Sequence, residues 1–430
     1  MIYFPLIILR FLEGGHNRMA LPKTANLSLW KVQRRGLGFI ALILGGFLIS
    51  MSPVLAAKAK QAVPSANPSV DSPLPSLETI AKQALMIDFT TGVVLLEKNA
   101  DELMFPSSMT KIMTAYLIFQ KLKEGHIQMD TTFPVSERAW RMSGSKMFVP
   151  LNAMVRVEDL LKGIIIQSGN DACIVAAEGV SGTEEIFAQE MTHIAHEMGA
   201  LQTLFKNASG WPDPEHQTTA RDLAIIAHRL MTDYPEFYSL FGVKEFVYNN
   251  IRQWNRNPLL YKNVGCDGVK TGYTESGGYG IVASVVQEGQ RLLLVLNGLP
   301  SEQARANEAL KLMTWGMQTF TNYSLFKPGE TVDMVPVSLG KDNFVSATVP
   351  EEVVVTLPKL SRKGLKVDVQ YESPIGAPIE KNALLGKMII YLPSQKHPIE
   401  VPLIAETSIE RAGFFKKIRD SISYLIWGKI

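Results

Sequence analysis

Three short stretches carry side chains whose types and spacing suit acyl transfer through a serine. Ser108 and Lys111 stand three residues apart, so in a helical turn they share one face. A serine hydroxyl is a weak nucleophile until a base takes its proton. A lysine whose pKa is lowered by burial and neighbouring cations can be that base, without any histidine. Pro106 precedes the pair and helical sequence follows it, which places Ser108 in the first turn of a helix, where developing negative charge is favoured. Ser168-Gly169-Asn170 lies between two apolar helical runs. There Ser168 can relay a proton to a departing amine, and Asn170 can bind a substrate amide or hold Lys111. Lys270-Thr271-Gly272 stands just before Gly277-Gly278 and a strand pattern, which puts it on a strand beside a cleft. Lys270 suits a substrate carboxylate and would help to depress Lys111; Thr271 offers a hydroxyl donor; Gly272 lets a ligand backbone approach closely. The backbone N–H groups of Ser108 and Tyr273 would then form an oxyanion hole. Each stretch alone has an ordinary explanation: an N-capping serine with a solvated lysine, or a Ser, Asn or Asp171 cap. The three in this order carry more weight than any one.

The elements that must hold these residues can be read from periodicity. Ala84–Asp88 and Val93–Leu96 are apolar runs around Phe89-Thr90-Thr91-Gly92, a hairpin pattern. Helical spacing recurs at Ile112–Leu122, Val157–Ile166, Asp171–Val180, Glu184–Met198 and Ala220–Met231. Strand patterns return at Gly278–Val286 and Arg291–Leu296, followed by a helix over Ser301–Phe320. Strands at both ends with helices between predict one antiparallel sheet packed against a helical cluster, occupying residues 77–328. After Pro328 short β-branched runs appear: Thr331–Val335, Glu352–Leu357, Leu365–Tyr371, Lys387–Leu392 and Ile399–Ile404. They predict a small all-β domain over residues 329–408.

The ends read differently. Lys31, Arg34 and Arg35 precede an apolar run, Leu37–Met51, and Ala56, Ala57 and Ala59 follow. That order describes a secretory signal peptide within residues 1–59, with an uncleaved anchor as the alternative and Arg34-Arg35 a faint sign of twin-arginine export. Met19 would open a conventional n-region, so translation is expected to start there. Residues 60–76, with Pro64, Pro68, Pro73 and Pro75, read as an extended linker. In residues 409–430, Phe415, Ile418, Ile422, Leu425 and Ile426 recur at spacings of three and four, among Arg411, Lys416, Lys417, Arg419 and Lys429. A basic amphipathic helix at a chain end reads as lying on a membrane surface, the alternative being a helix docked on the β domain. The chain has 430 residues, 46% hydrophobic and 20% charged, with a formal net charge of +2. That supports two or three folded units and offers no global charge for nucleic acid. Cys173 and Cys266 are too few for a disulfide framework and are expected to be unpaired.

The set S-x-x-K, S-x-N and K-T-G is shared by penicillin-binding proteins and β-lactamases. The segments Pro106–Lys111, Ser168–Cys173 and Asp267–Thr274 closely resemble the low-molecular-mass penicillin-binding proteins of the D-alanyl-D-alanine carboxypeptidase type. The likeness runs from about Leu77 to the C-terminus. It implies an α/β penicillin-recognising, transpeptidase-like domain, a β-rich second domain and a C-terminal amphipathic anchor. It also implies removal of the terminal D-alanine from peptidoglycan pentapeptides through an acyl-serine, covalent inhibition by β-lactams, no cofactor, and a place on the periplasmic face of the inner membrane. By the same resemblance Arg256 or Arg305 holds the substrate's carboxylate, with surface or packing salt bridges as the plain alternative. The family often has His where this chain has Tyr273; since the donor there is a backbone N–H, the change should alter pH behaviour more than abolish activity.

Two other functions compete. A β-lactamase needs a water activated for deacylation, commonly by a glutamate in an E-x-x-x-N loop; Glu215-His216-Gln217 after Asp213-Pro214 lacks the Asn. A non-catalytic wall scaffold would have no need of intact Ser108, Lys111, Ser168, Asn170 and Lys270. His193, His196 and Glu197 do not form H-E-x-x-H, so no metal is expected.

Overall fold

The computed structural model describes residues 77–392, 398–414, 416 and 418. The expected signal peptide and linker, and most of the terminal amphipathic segment, lie outside them. The first hairpin joins β1 (Gln83–Asp88) to β2 (Val94–Lys98). A 3₁₀ turn, Ser107–Thr110, then leads into α1 (Lys111–Lys123). Every residue of α1 from Lys111 to Phe119 is buried; a helix apolar all round belongs in the middle of a core. A small hairpin, β3 (Thr132–Pro134) with β4 (Met154–Arg156), encloses the short α2 (Glu137–Arg141). The helical spacing had concealed it.

The helix expected over Val157–Ile166 is α-helical only as α3 (Val157–Lys162); Gly163–Gln167 form a π turn that ends at Ser168, in the left-handed conformation. Then follow α4 (Asn170–Ser181), α5 (Glu184–Glu197), α6 (Ala220–Asp233) and the single turn α7 (Pro235–Tyr238). Thr183 and Thr219 cap α5 and α6 by accepting from the amides of Ile186 and Asp222, each cap being worth ~1 kcal/mol. A second small hairpin, β5 (Glu245–Tyr248) and β6 (Ile251–Trp254), precedes β7 (Cys266–Thr274), β8 (Gly278–Gln287), β9 (Gln290–Leu299) and α8 (Glu302–Thr319).

The main sheet is antiparallel, in the order β2-β1-β9-β8-β7. Its strands are apolar on both faces, and the two-residue period sorts them. Leu85, Leu293, Val295 and Val282 face the cluster of α1, α4, α5 and α6, whereas Ala84, Met86, Ile281, Leu292, Leu294 and Leu296 face α8. Each fully buried Leu or Val contributes about 1.5–3 kcal/mol, so the sheet is clamped from both sides. That rigidity is what the KTG strand, β7 at the sheet edge, requires.

Beyond α8 the chain runs directly into β10 (Phe320–Phe326), ahead of the boundary expected at 329, and β10 pairs with β13 (Val353–Pro358). A six-stranded sheet of β11 (Asp333–Ser338), β12 (Phe344–Thr348), β14 (Lys366–Tyr371), β15 (Ile375–Gly376), β16 (Leu384–Tyr391) and β17 (Ile399–Ala405) shares its core. Alternate residues, Val335 and Val337, Val345 and Ala347, Val355 and Leu357, fill that core. Thr91 Oγ1 meets Thr356 Oγ1 at 2.5 Å, and Lys359 Nζ donates to Met317 O at 3.1 Å, tying this domain to the first. At the far end Lys416 Nζ donates to Gly340 O, Lys341 O and Asn343 Oδ1. Lys416, grouped above with the basic residues facing a membrane, is thus occupied by the β domain.

Candidate active site

The site is assembled where the α1 turn meets β7. Ser107 Oγ and Thr274 Oγ1 lie 2.8 Å apart. A Cβ on Gly272 would sit 2.9 Å from Pro106 O and 3.2 Å from Ser107 Cβ. The missing side chain at Gly272 therefore admits the protein's own nucleophile turn. Lys111 is fully buried. Its Nζ reaches Ser108 Oγ at 3.0 Å, Asn170 Oδ1 at 2.8 Å and Ser209 O at 2.6 Å. Burial lowers its pKa to about 8, with Arg256 pushing the same way and Asp171 and Glu184 opposing.

Asn170 is held on both sides of its amide. Nδ2 donates to Ser143 O at 2.9 Å and its backbone N–H to Ser145 O at 2.7 Å, which turns Oδ1 towards Lys111. Of the two roles open from sequence, this geometry is the one that holds the lysine. Ser168 is 2% exposed with φ 65°, and its Oγ makes no hydrogen bond. Asp171, read from sequence only as a cap, does more. Its buried carboxylate accepts the N–H groups of Met147, Phe148, Val149 and Ala172 at 2.8–3.3 Å, fixing the 143–149 loop that positions Asn170.

Ser209 escaped sequence reading because its contribution is a backbone carbonyl. A signal was present in Asn207-Ala208-Ser209-Gly210: Asn207 Oδ1 accepts from the amides of Ser209, Gly210 and Trp211, a loop-forming pattern asparagine favours. Gly210 has φ +76°, and a Cβ there would lie 1.8 Å from Ser107 O.

Cations line the other wall. Lys270 is 2% exposed and donates to Thr271 O at 3.1 Å. Burial holds it well below the ordinary lysine pKa, and Lys111, Arg256 and Arg305 add to this. Lys270 and Lys111 repel each other, and Arg256 bears on both. Arg305, 4% exposed, bonds Glu302 Oε1 at 2.9 Å and sits 5.7 Å from the Tyr279 ring centroid; its Nε has no partner. Arg256 Nη1 donates to Ser145 Oγ at 2.6 Å. Desolvation lowers both arginines. Thr271 is buried, and Tyr273 is half exposed with its ring 4.2 Å from that of Tyr279.

Other singled-out residues lie elsewhere. Glu215 is exposed in a 3.0 Å ion pair with Lys206. His193 pairs with Glu197 at 3.3 Å, and His196 Nε2 meets Thr203 O at 2.8 Å. Cys173 on α4 and Cys266 on β7 are both free; burial pushes their thiols up to about 12 and about 11.

A family model described as D-alanyl-D-alanine carboxypeptidase matches residues 68–300, and one described as penicillin-binding protein 5, C-terminal domain, matches residues 320–411. D-alanyl-D-alanine carboxypeptidase DacC of Escherichia coli is 37% identical over 384 residues, covering 87% of this chain and 93% of that protein. The crystal structure of penicillin binding protein 5 from Haemophilus influenzae superposes with a TM-score of 0.72 at 32% identity, over 78% of this chain and 99% of that one. A Listeria monocytogenes penicillin-binding protein in its ampicillin-bound form gives a TM-score of 0.52 at 25% identity, over 56% of this chain and 99% of that one. Coverage of both domains at these identities leaves one assignment: the chain belongs to the D-alanyl-D-alanine carboxypeptidase family, with the penicillin-binding protein fold.

Proposed function

We propose that this cleft removes the terminal D-alanine from peptidoglycan pentapeptides as a serine-type D-Ala-D-Ala carboxypeptidase. The observation that carries the reading is the buried amine of Lys111, 3.0 Å from the Ser108 hydroxyl and held by Asn170 and Ser209. In its neutral form Lys111 takes the Ser108 proton as Oγ bonds to the carbonyl carbon of the penultimate D-alanine. The oxyanion is received by the N–H groups of Ser108 and Tyr273; the first amides of a helical turn lack intrahelical acceptors, which favours that role for Ser108. The C–N bond breaks, and the leaving amine takes the proton from Lys111 through Ser168 Oγ. Water then attacks the acyl carbon while Lys111 accepts its proton; the C–Oγ bond breaks, and Lys111 returns that proton to Ser108 Oγ, restoring the hydroxyl and the neutral amine.

Lys270 and Thr271, with Arg256 and Arg305 behind them, receive the terminal carboxylate. A bound carboxylate favours the charged form of Lys270, which repulsion and burial otherwise disfavour. β-Lactams acylate the same serine, in line with the ampicillin-bound relative. Two observations weigh against the competing functions. Glu215 stands in an exposed ion pair instead of beside a deacylating water. A scaffold would gain nothing from two buried lysines, whose desolvation is costly. We further propose export by the 1–59 segment and peripheral attachment to the periplasmic face of the inner membrane by residues 409–430, on the sequence pattern given above.

The test is D-alanine release from a pentapeptide ending in D-Ala-D-Ala, with and without penicillin. Release blocked by penicillin together with a persistent protein adduct supports the reading; rapid penicillin turnover makes the protein a β-lactamase. For attachment, a chain ending at residue 408 should appear in the soluble fraction while the full chain sediments with membranes.

A further inference from the structure

The start of α1, with Thr110 just before it, meets the 204–217 segment through three contacts. Thr114 Oγ1 donates to Ala208 O at 2.5 Å, Lys111 Nζ to Ser209 O at 2.6 Å, and Thr110 Oγ1 meets His216 Nε2 at 2.8 Å. The proposed chemistry uses only the middle one. His216 is 2% exposed, and both ring nitrogens are engaged. The backbone N–H of Lys206 donates to Nδ1 at 3.1 Å, so Nδ1 is an acceptor and the ring proton sits on Nε2. Nε2–H therefore donates to Thr110 Oγ1. The imidazole bridges the residue next to Lys111 and the backbone of the loop that presents the Ser209 carbonyl. The loop has no slack on its near side: a Cβ at Gly210 would lie 2.8 Å from Thr110 Oγ1.

We infer that His216 is a positioning residue for acylation, setting the separation between Lys111 Nζ and its acceptors by tying Thr110 to this loop. The inference rests on Lys111 being the base. The ring is kept neutral by burial, reinforced by the Lys111 charge and opposed by Asp213, which together bring its pKa down to about 4. The Phe205 ring packs against it with centroids 5.5 Å apart.

Three variants of the full chain separate the two bonds. His216→Gln places an amide N–H where Nε2 stands and keeps the Thr110 bond. His216→Asn places a carbonyl where Nδ1 stands and keeps the Lys206 bond. His216→Leu keeps neither. The readouts are the second-order rate of penicillin acylation, its pH profile and the melting temperature. His216→Leu should acylate about 30-fold more slowly, as expected for a displaced reacting group. Its pH midpoint should fall, because the ammonium loses the carbonyl that favours its charged form. His216→Gln should return to within about threefold of wild type, with His216→Asn staying near the leucine variant. Equal rates for the Gln and Asn variants would overturn the inference, and this comparison decides even where the leucine variant fails to fold. So would a folded leucine variant with wild-type rate and midpoint. Absence of any adduct on the wild-type protein would overturn the acyl-serine reading and this inference with it; a normal wild-type adduct with equal Gln and Asn rates overturns this inference alone.

Discussion

The two folded domains treat charge in opposite ways. In the first, Lys111, Lys270, Asp171, Glu184 and Arg305 are all buried, and each takes part in or adjoins the cleft. In the β domain the buried polar side chains among the described residues are two threonines, Thr348 and Thr356, while its ion pairs, Lys341–Glu410 and Lys387–Glu400, are exposed. Burying an ion costs several kcal/mol even when it is paired, and exposed pairs add less than about 1 kcal/mol. The β domain is therefore held by its apolar interior. The first domain gives up stability to hold an amine that loses its proton more readily than an ordinary lysine beside a hydroxyl.

The sharpest way to break this comparison is Ser108→Ala. It should abolish the penicillin adduct and lower D-alanine release by at least ~10⁴-fold, as for other nucleophile deletions, with the melting temperature almost unchanged; retained release would remove the nucleophile assignment. Next is the pH dependence of Lys111, whose folded pKa of about 8 lies below the ordinary 10.5. Acylation should rise with pH and level off above about 8, and Lys111→Met should lower the plateau by ~10²–10⁴-fold. Because the unfolded chain holds the Lys111 proton up to its higher pKa, this group makes stability rise between about pH 8 and 10.5, by about 3 kcal/mol. Chemical denaturation across that range, comparing wild type with Lys111→Met, checks the sign: the rise should be smaller in the variant, where buried Lys270 still contributes its own share.

Gly210→Ala joins the two kinds of cost. The left-handed backbone strains any side chain, at ~1–3 kcal/mol, and the added carbon meets Ser107 O, displacing the nucleophile turn. Acylation should fall about 10- to 100-fold, measured by the rate of adduct formation on protein shown to be folded by circular dichroism. The smallest effect on activity belongs to the other domain. Leu403→Ala, at a fully buried β-domain position, should cost ~2–5 kcal/mol of stability yet leave acylation within about twofold. A larger loss would show that the β domain shapes the cleft.

Much of this was legible beforehand because it is local. Three-residue spacing put Ser108 and Lys111 on one turn, and short apolar runs between turn residues marked β1, β2, β8 and β9. Other features were not, since they belong to no single segment. The π turn before Ser168 departs from the helix that its apolar spacing suggested. The strands Phe320–Phe326 and Phe344–Thr348 were passed over because pairing, more than composition, defines them.

By itself the chain's order of residues determined which atoms are available: three hydroxyls, two amines, an amide and two guanidinium groups at fixed separations along the backbone. Tertiary structure alone decided their states. Lys111 loses its proton more readily than an ordinary lysine because the helices around α1 exclude water, and the partners that aim it arrive from 59 and 98 residues away. Desolvation and the meeting of distant segments are properties of the packed interior, and no local pattern encodes them.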